Sequence, residues 1–116
     1  MTTTGLPTVV SDAYEFLKWL VDHVGKFPRS HRFVLGERIE TAMLNLLMFL
    51  VEAAYQREGK SRVLHRANLE LEKLRLLIRL GKDLGFTSLR QYEHACHQVT
   101  GIGRQIGGWT RFQDQV

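Results

Sequence analysis

The sequence has 116 residues, 44% hydrophobic and 24% charged, a balance that excludes a disordered chain and fits one globular domain spanning residues 1–116. A single cysteine excludes an internal disulfide, and the lack of a signal sequence or a run of about 20 apolar residues predicts a cytoplasmic protein that does not enter a membrane. The formal net charge of +4 suits polyanions such as nucleic acid, although many basic proteins bind none.

The first predicted helix covers residues 12–24. Asp12, with Glu15 three residues later, has the pattern of an N-terminal cap, and Gly25 marks the end. The second predicted helix covers residues 31–57, and its apolar residues recur at alternating steps of four and three. This spacing places them on one face, as is typical of a helix in a bundle: Leu35, Ile39, Ala42, Leu46, Phe49 and Ala53.

The third predicted helix covers residues 62–84, with Ser61 as its cap and Gly85 as a left-handed residue that closes it. Its apolar residues cover well over half of the circumference, more than a helix inside one bundle needs: Val63, Ala67, Leu69, Leu74, Leu76, Leu77, Ile78, Leu80 and Leu84. This excess favours a homo-oligomer in which part of the helix contacts another subunit. The alternative is a helix that is simply well buried in its own bundle.

The fourth predicted helix covers residues 88–106. Ser88 and Gln91 have the spacing of a capping box, and the glycine pair at 107–108 is expected to end the helix and leave 109–116 as a short tail. Links of a few residues force consecutive helices to lie antiparallel. The sequence therefore predicts an all-α fold, an antiparallel up-down four-helix bundle.

Three cations of the third helix fall on one stripe at spacings i, i+4 and i+7: Arg75, Arg79 and Lys82. Like charges at these spacings repel each other, so a compensating charge is expected nearby. One hypothesis is a strip that binds phosphates or an acidic protein surface. The other is a solvated face neutralised by Glu72, which is within reach of both arginines.

Four basic residues cluster where the second helix is expected to begin: Lys26, Arg29, His31 and Arg32. Cations at that end oppose the helix dipole, and a bound anion would remove the conflict. Alternatively, Glu37 and Glu40 or acidic residues of a neighbouring helix neutralise the cluster. Spacing alone does not choose between these interpretations.

Patterns of catalysis and of metal or cofactor binding are missing. His94 and His97 are neighbours on one helix, but Cys96 belongs to the apolar seam, so one tetrahedral metal site cannot easily collect all three. No Glu-x-x-His pair of a di-iron bundle occurs, and the glycines of 101–108 do not follow a strand as a nucleotide-binding loop would. We therefore expect no enzyme activity, no metal and no cofactor.

Several segments together resemble the accessory variability determinant proteins of diversity-generating retroelements. The first is Lys-Phe-Pro-Arg-Ser-His-Arg-Phe at 26–33, followed by Leu-Gly at 35–36 and Arg-Ile at 38–39. The others are Leu-Glu-Lys-Leu-Arg-Leu-Leu-Ile-Arg-Leu at 71–80 and Gly-Arg-Gln-Ile-Gly-Gly-Trp at 103–109. These proteins are part of a wider four-helix bundle family, whose other branch is encoded in intervening sequences of bacterial large-subunit ribosomal RNA genes.

The resemblance implies a homopentameric barrel that binds the retroelement reverse transcriptase together with RNA and DNA. It implies a non-catalytic subunit that supports mutagenic cDNA synthesis and retrohoming, with Arg75 and Arg79 on the basic surface used for partners. The candidate binding residues are therefore Arg75, Arg79, Lys82, Lys26, Arg29, Arg32 and Arg104. The alternatives are a protein of the ribosomal intervening-sequence branch and a structural adaptor that contacts only protein.

Overall fold

The computed structural model describes residues 5–115, which form four long helices and no strand. Each helix packs against two others, so that the first and third helices both contact the second and fourth in a closed bundle of about 46 × 27 × 23 Å. The all-helical bundle expected from the sequence is confirmed. No helix in this part of the chain is long and apolar enough to cross a membrane. The helices are α1 (Thr8–Val24), α2 (Glu37–Tyr55), α3 (Lys60–Asp83) and α4 (Leu89–Asp114).

The core contains the apolar seam predicted for the second helix. Leu46 and Ala53 are fully buried, and Leu35 and Ile39 are nearly so, while Phe49 packs at the edge of the core. Burying a leucine or isoleucine side chain stabilises the fold by about 1.5 to 3 kcal/mol. The step of three and four residues thus correctly identified the inward face of α2.

A short helical turn, Arg29–His31, and a π-helical turn, Arg32–Gly36, lead directly into α2. A methyl group at Gly36 would lie only 2.6 Å from Cγ1 of Val24 at the end of α1. The missing side chain therefore lets α1 pack closely against the π-helical turn. This contact fixes the direction in which the basic residues before α2 leave the bundle.

Two helix ends follow the sequence prediction. Gly85 after α3 has a φ of +85°, and its N–H donates to the carbonyl of Lys82 at 3.0 Å. At the start of α4, the Gln91 N–H donates to Ser88 Oγ at 3.1 Å, and the Ser88 N–H donates to Gln91 Oε1 at 2.8 Å. Both ends are set by local chemistry, which explains why the sequence indicated them.

Two predicted N-terminal caps are wrong. α1 begins at Thr8, so Asp12 lies inside the helix and its Oδ2 accepts a hydrogen bond from Gln105 Nε2 at 2.8 Å. α3 begins at Lys60 after a left-handed Gly59, and Ser61 Oγ instead donates to Asp114 Oδ1 at 2.8 Å. In both cases a contact between distant helices uses the polar group that sequence spacing assigned to a local cap.

The predicted end of the fourth helix at residue 106 is also wrong, because α4 continues through the glycine pair to Asp114. A glycine inside a helix costs up to about 1 kcal/mol relative to alanine. That cost is offset by contacts beyond it: Trp109 packs against the core, and Lys60 Nζ lies 5.8 Å from the centre of its ring. Thr110 Oγ1 adds a hydrogen bond of 2.8 Å to the carbonyl of Ile106. Residues 109–114 are therefore helix and not a tail.

Candidate functional site

The α3 strip, defined as Arg75, Arg79 and Lys82, lies on the side of α3 that faces α4. Lys82 Nζ sits 5.1 Å from the ring centre of Tyr92 on α4. Further along, the Arg75 guanidinium is next to Gly103, where a methyl group would lie 3.8 Å from Nη2. The structure thus brings the three cations together along the groove between α3 and α4, as the one-stripe prediction required.

Carboxylates of α3 itself lie beside each cation of the strip. Arg75 Nη2 is 3.5 Å from Glu72 Oε1, and Arg79 Nε is 3.8 Å from Asp83 Oδ2. Lys82 Nζ is 4.0 Å from the other oxygen of Asp83. All of these side chains are substantially exposed, and such surface pairs typically contribute no more than about 1 kcal/mol. The strip is partly neutralised, but its pairs are long enough to exchange for an incoming anion.

Tyr92 provides the aromatic wall beside Lys82. Its hydrogen bond with the Cys96 side chain, helped by partial burial, raises the pKa of the Tyr92 hydroxyl above its ordinary value. The phenol therefore stays neutral at physiological pH. A neutral aromatic ring can hold a lysine ammonium over its face without competing for a bound anion.

The basic link, defined as Lys26, Arg29, His31 and Arg32, lies between α1 and α2, just before α2 begins. Arg29 and Arg32 line a cleft of about 430 Å³ that also contains Glu37 and Glu40. Neither arginine has a carboxylate of residues 5–115 within 4.0 Å. Arg32 Nη1 instead donates to the carbonyl of Gly25 at 3.5 Å.

Lys26 differs from the two arginines of the link, because its Nζ lies 3.2 Å from Asp22 Oδ2 on α1. The two sequence hypotheses for the link therefore both have a physical basis. Acidic groups surround the cluster, yet Arg29 and Arg32 keep guanidinium groups that are available to an anion.

Aromatic packing holds the basic link against the turn between α3 and α4. The ring of Phe86 lies 5.6 Å from Phe27 and 4.5 Å from His31, centre to centre. Below them, buried His23 pairs with Thr87 Oγ1 at 2.8 Å. Burial lowers the pKa of His23, and the positive charge of Lys26 lowers it further. The link is therefore anchored by a neutral, apolar cluster.

Arg104 lies on α4, on the side that faces away from the core. By helical geometry, residues seven apart share a face, so Arg90, His97 and Arg111 lie on the same side. All four side chains are exposed. The sequence prediction included only Arg104 of this set: it placed Arg111 in a tail after residue 106, and it did not group Arg90 and His97 with Arg104 although both lie in the predicted helix. The seven-residue repeat was the signal that identifies the others.

The predicted excess of apolar surface on α3 is partly left uncovered by the chain. Leu76 is 66% exposed and Leu69 57%, and Leu80 and Leu84 are also exposed. Leu76 and Phe33 line a groove of about 590 Å³ between α2 and α3, next to the exposed Leu44 and Met48 of α2. The interpretation that α3 is fully buried in its own bundle is therefore wrong for this face.

Titratable groups show no arrangement for metal chemistry within residues 5–115: no three His, Cys, Asp or Glu side chains converge. His94 packs against Trp19, with 4.8 Å between ring centres, and Cys96 is half-buried beside Tyr92. These residues take part in packing between α1, α3 and α4.

The model of one protein family, described as bAvd-like, matches residues 8–113. That match spans all four helices and includes the α3 strip, the basic link and Arg104. A search of curated proteins gives no match to the chain.

Proposed function

The chain belongs to the bAvd-like family, the accessory variability determinant proteins, and we propose that it acts as the accessory subunit of a diversity-generating retroelement. The family is an accessory, non-catalytic one. In this role the chain binds the retroelement reverse transcriptase and RNA or DNA through basic surfaces. It thereby supports mutagenic cDNA synthesis and retrohoming without catalysing a reaction itself.

The observation that carries this proposal is the α3 strip. Its cations lie in a row along the α3–α4 groove, and their ion pairs of 3.5 to 4.0 Å are exposed to solvent. A phosphate backbone or an acidic protein surface can take over such pairs at small cost. The basic link adds Arg29 and Arg32, which have no carboxylate partner in the described part of the chain.

Self-association into a homopentamer is the second part of the proposal. The exposed leucines of α3 form an apolar surface whose contact with water is unfavourable, and the groove beside α2 continues it with Phe33 and Leu76 among charged and polar side chains such as Glu37 and Lys73. Packing of this surface against a second copy would bury it and repeat the α3 strip around a ring. Repetition multiplies the positive field and lets one polymer contact several subunits.

A salt titration of RNA binding by the purified chain tests the proposed role. Phosphate contacts make the logarithm of the affinity fall steeply with the logarithm of the salt concentration. Copurification with the reverse transcriptase tests the protein partner separately. A chain that binds the polymerase but no nucleic acid at any salt would be the protein-only adaptor.

The ribosomal intervening-sequence branch remains the alternative within the wider family. The genes that flank this one distinguish the branches. A reverse transcriptase gene with paired template and variable repeats supports the retroelement role, whereas a position inside a ribosomal RNA gene would contradict it.

A further inference from the structure

The outward side of α4 carries a second row of basic residues, the α4 row, defined as Arg90, His97, Arg104 and Arg111, of which the three arginines are cations. Successive members are seven residues apart. At a rise of 1.5 Å per residue they follow one another about every 10.5 Å, over a total of about 31 Å. The row turns around the helix by only about 20° per step, so it is nearly straight.

The α4 row is not neutralised by its own chain. None of its members has a carboxylate of residues 5–115 within 4.0 Å. Glu93 is the one acidic residue between members of the row. Asp114, at the end of the helix, accepts a hydrogen bond from Ser61. The row therefore presents a higher net positive charge than the α3 strip.

Three glycines lie beside the α4 row, at positions where a side chain would otherwise cover the helix backbone. Apart from the backbone of the helix, no atom of the described chain lies within 4 Å of a methyl group placed at Gly101. At Gly107 and Gly108 the only atoms within that distance belong to the guanidinium of Arg111. A ligand can therefore approach the helix backbone at Gly101, and at Gly107 and Gly108 it would meet the Arg111 guanidinium.

We infer that the α4 row binds the sugar-phosphate backbone of single-stranded nucleic acid, with the arginines donating hydrogen bonds to successive phosphate groups. The inference rests on the proposed nucleic-acid binding and gives it a location and a strand type. The length of the row points to a polymer, because side chains spread over about 31 Å cannot all converge on one small anion. Each rung can instead take a separate phosphate of one chain.

A single strand fits the α4 row better than a duplex does. A duplex is stiff over about 150 base pairs, so a straight row meets its convex backbone only where the two cross. A flexible strand can follow the row along its whole length. Phe112 lies beside the last rung and is 62% exposed, and such a ring offers a surface on which an unpaired base can stack.

The α4 row is also unsuited to contact between copies of the chain. The exposed residues between its members, such as Glu93 and Thr100, are charged or polar, whereas Leu69, Leu76 and Leu80 are exposed on α3. Facing two such rows would bring like charges together, at a cost of several kcal/mol in a closed interface. The oligomer is therefore expected to leave the row open.

Fluorescence anisotropy with a labelled single-stranded RNA tests this inference on the full-length chain. The triple variant Arg90→Gln, Arg104→Gln, Arg111→Gln should lose about tenfold or more in affinity. Its salt dependence should become shallower by about 2 in the logarithmic slope, since each single-strand phosphate contact contributes about 0.7. Because all three positions are exposed, helix content and oligomer size should not change.

Two matched variants control for charge and for position. Lys18→Gln, Arg57→Gln, Arg62→Gln makes the same charge change at exposed sites outside α4 and should retain affinity within about twofold. Replacing the three row arginines by lysine keeps point charges for phosphates and should restore most of the binding. A duplex of the same sequence should bind more weakly than the single strand.

Each possible result decides a different claim. If the wild-type chain binds RNA and the glutamine triple variant binds equally well, the α4 row is not the site, while the proposed function stands. Stronger binding to the duplex would overturn the single-strand assignment. If the variant loses the reverse transcriptase but keeps RNA, the row is a protein surface and the inference is wrong. Failure of the wild-type chain to bind any nucleic acid would remove both this inference and the nucleic-acid part of the proposed function.

Discussion

The α3 strip and the α4 row are two lines of cations on adjacent helices, and they differ in what stands beside the positive charges. On α3, Glu72 and Asp83 lie within 4.0 Å of the strip and partly neutralise it. On α4, Glu93 and Asp114 also lie one turn from members of the row, but no member has a carboxylate within 4.0 Å in residues 5–115, and glycines flank Arg104. The periodicity of basic residues therefore shows which of them share a face, but their ion pairs with acidic residues determine how much charge is available.

The largest effect is expected from changes that separate the subunits, because a monomer carries only one copy of the α3 strip and of the α4 row. Leu69→Glu combined with Leu76→Glu places two charges on the exposed apolar face of α3. The proposed oligomer should dissociate to monomers, because burying unpaired carboxylates in an interface is strongly unfavourable. Light scattering measures the mass, and circular dichroism checks that the bundle remains folded.

Leu89→Glu is the matched control for this dissociation. Leu89 is 63% exposed, as open to solvent as the α3 leucines, but it lies at the start of α4. This variant should keep the wild-type mass. A wild-type chain that is monomeric at all concentrations, or a double variant that keeps its mass, would contradict self-association through α3.

The second effect concerns the α3 strip itself. Arg75→Ala with Arg79→Ala should weaken binding of the reverse transcriptase or of RNA by about tenfold, while the oligomer keeps its size. Arg57→Ala with Arg62→Ala removes the same charge from exposed sites outside the strip and serves as the control. Unchanged binding by the strip variant would mean that the strip is only a solvated face.

Removing the carboxylates beside the α3 strip should have the opposite effect, an increase in RNA affinity. Glu72→Gln with Asp83→Asn frees the strip from its own carboxylates, and RNA affinity should rise several-fold at low salt with a steeper salt dependence. Equilibrium binding titrations at two salt concentrations measure both quantities. If affinity is unchanged, the ion pairs on α3 do not limit access of phosphates to the strip.

The smallest expected effect is a pH dependence of folding stability, which does not distinguish the α3 strip from the α4 row. Burial lowers the pKa of His23 in the folded chain below 6.5, its ordinary value, so the unfolded chain binds the proton more readily. Stability is therefore fully present above pH 6.5 and decreases as the pH falls below that value. Thermal unfolding across this range should show a falling Tm, and His23→Gln should flatten the decrease while the Gln side chain can still pair with Thr87. An equal decrease in both proteins would exclude His23 as the cause.

Local sequence patterns predicted the parts of the fold that depend on neighbouring residues. The seam of α2, the left-handed Gly85 and the capping box at Ser88 are all set by spacing within a few positions. The start of α1 and the end of α4 depend on partners far away in sequence, such as Gln105 for Asp12. No local pattern contains that information.

The candidate binding surfaces were also predicted only as far as local spacing determines them. Helical spacing placed Arg75, Arg79 and Lys82 on one face, which the structure confirms. It assigned the compensating charge to Glu72, whereas Asp83 is the acid beside Arg79 and Lys82. The row on α4 was missed beyond Arg104, because ending the helix at the glycine pair removed Arg111 from it. The packing of Trp109 and the hydrogen bond between Ser61 and Asp114 show why the helix continues.

The most direct test of the account is the salt dependence of single-stranded RNA binding, compared between the wild-type chain and a variant in which the arginines of both the α3 strip and the α4 row are glutamine. We predict a steeply falling affinity for the wild type, and for the variant a much weaker affinity with a clearly shallower salt dependence, since Lys82 and the basic link still remain. Equal affinities and equal slopes for the two proteins would contradict the claim that cations presented on these two helices form the docking surface.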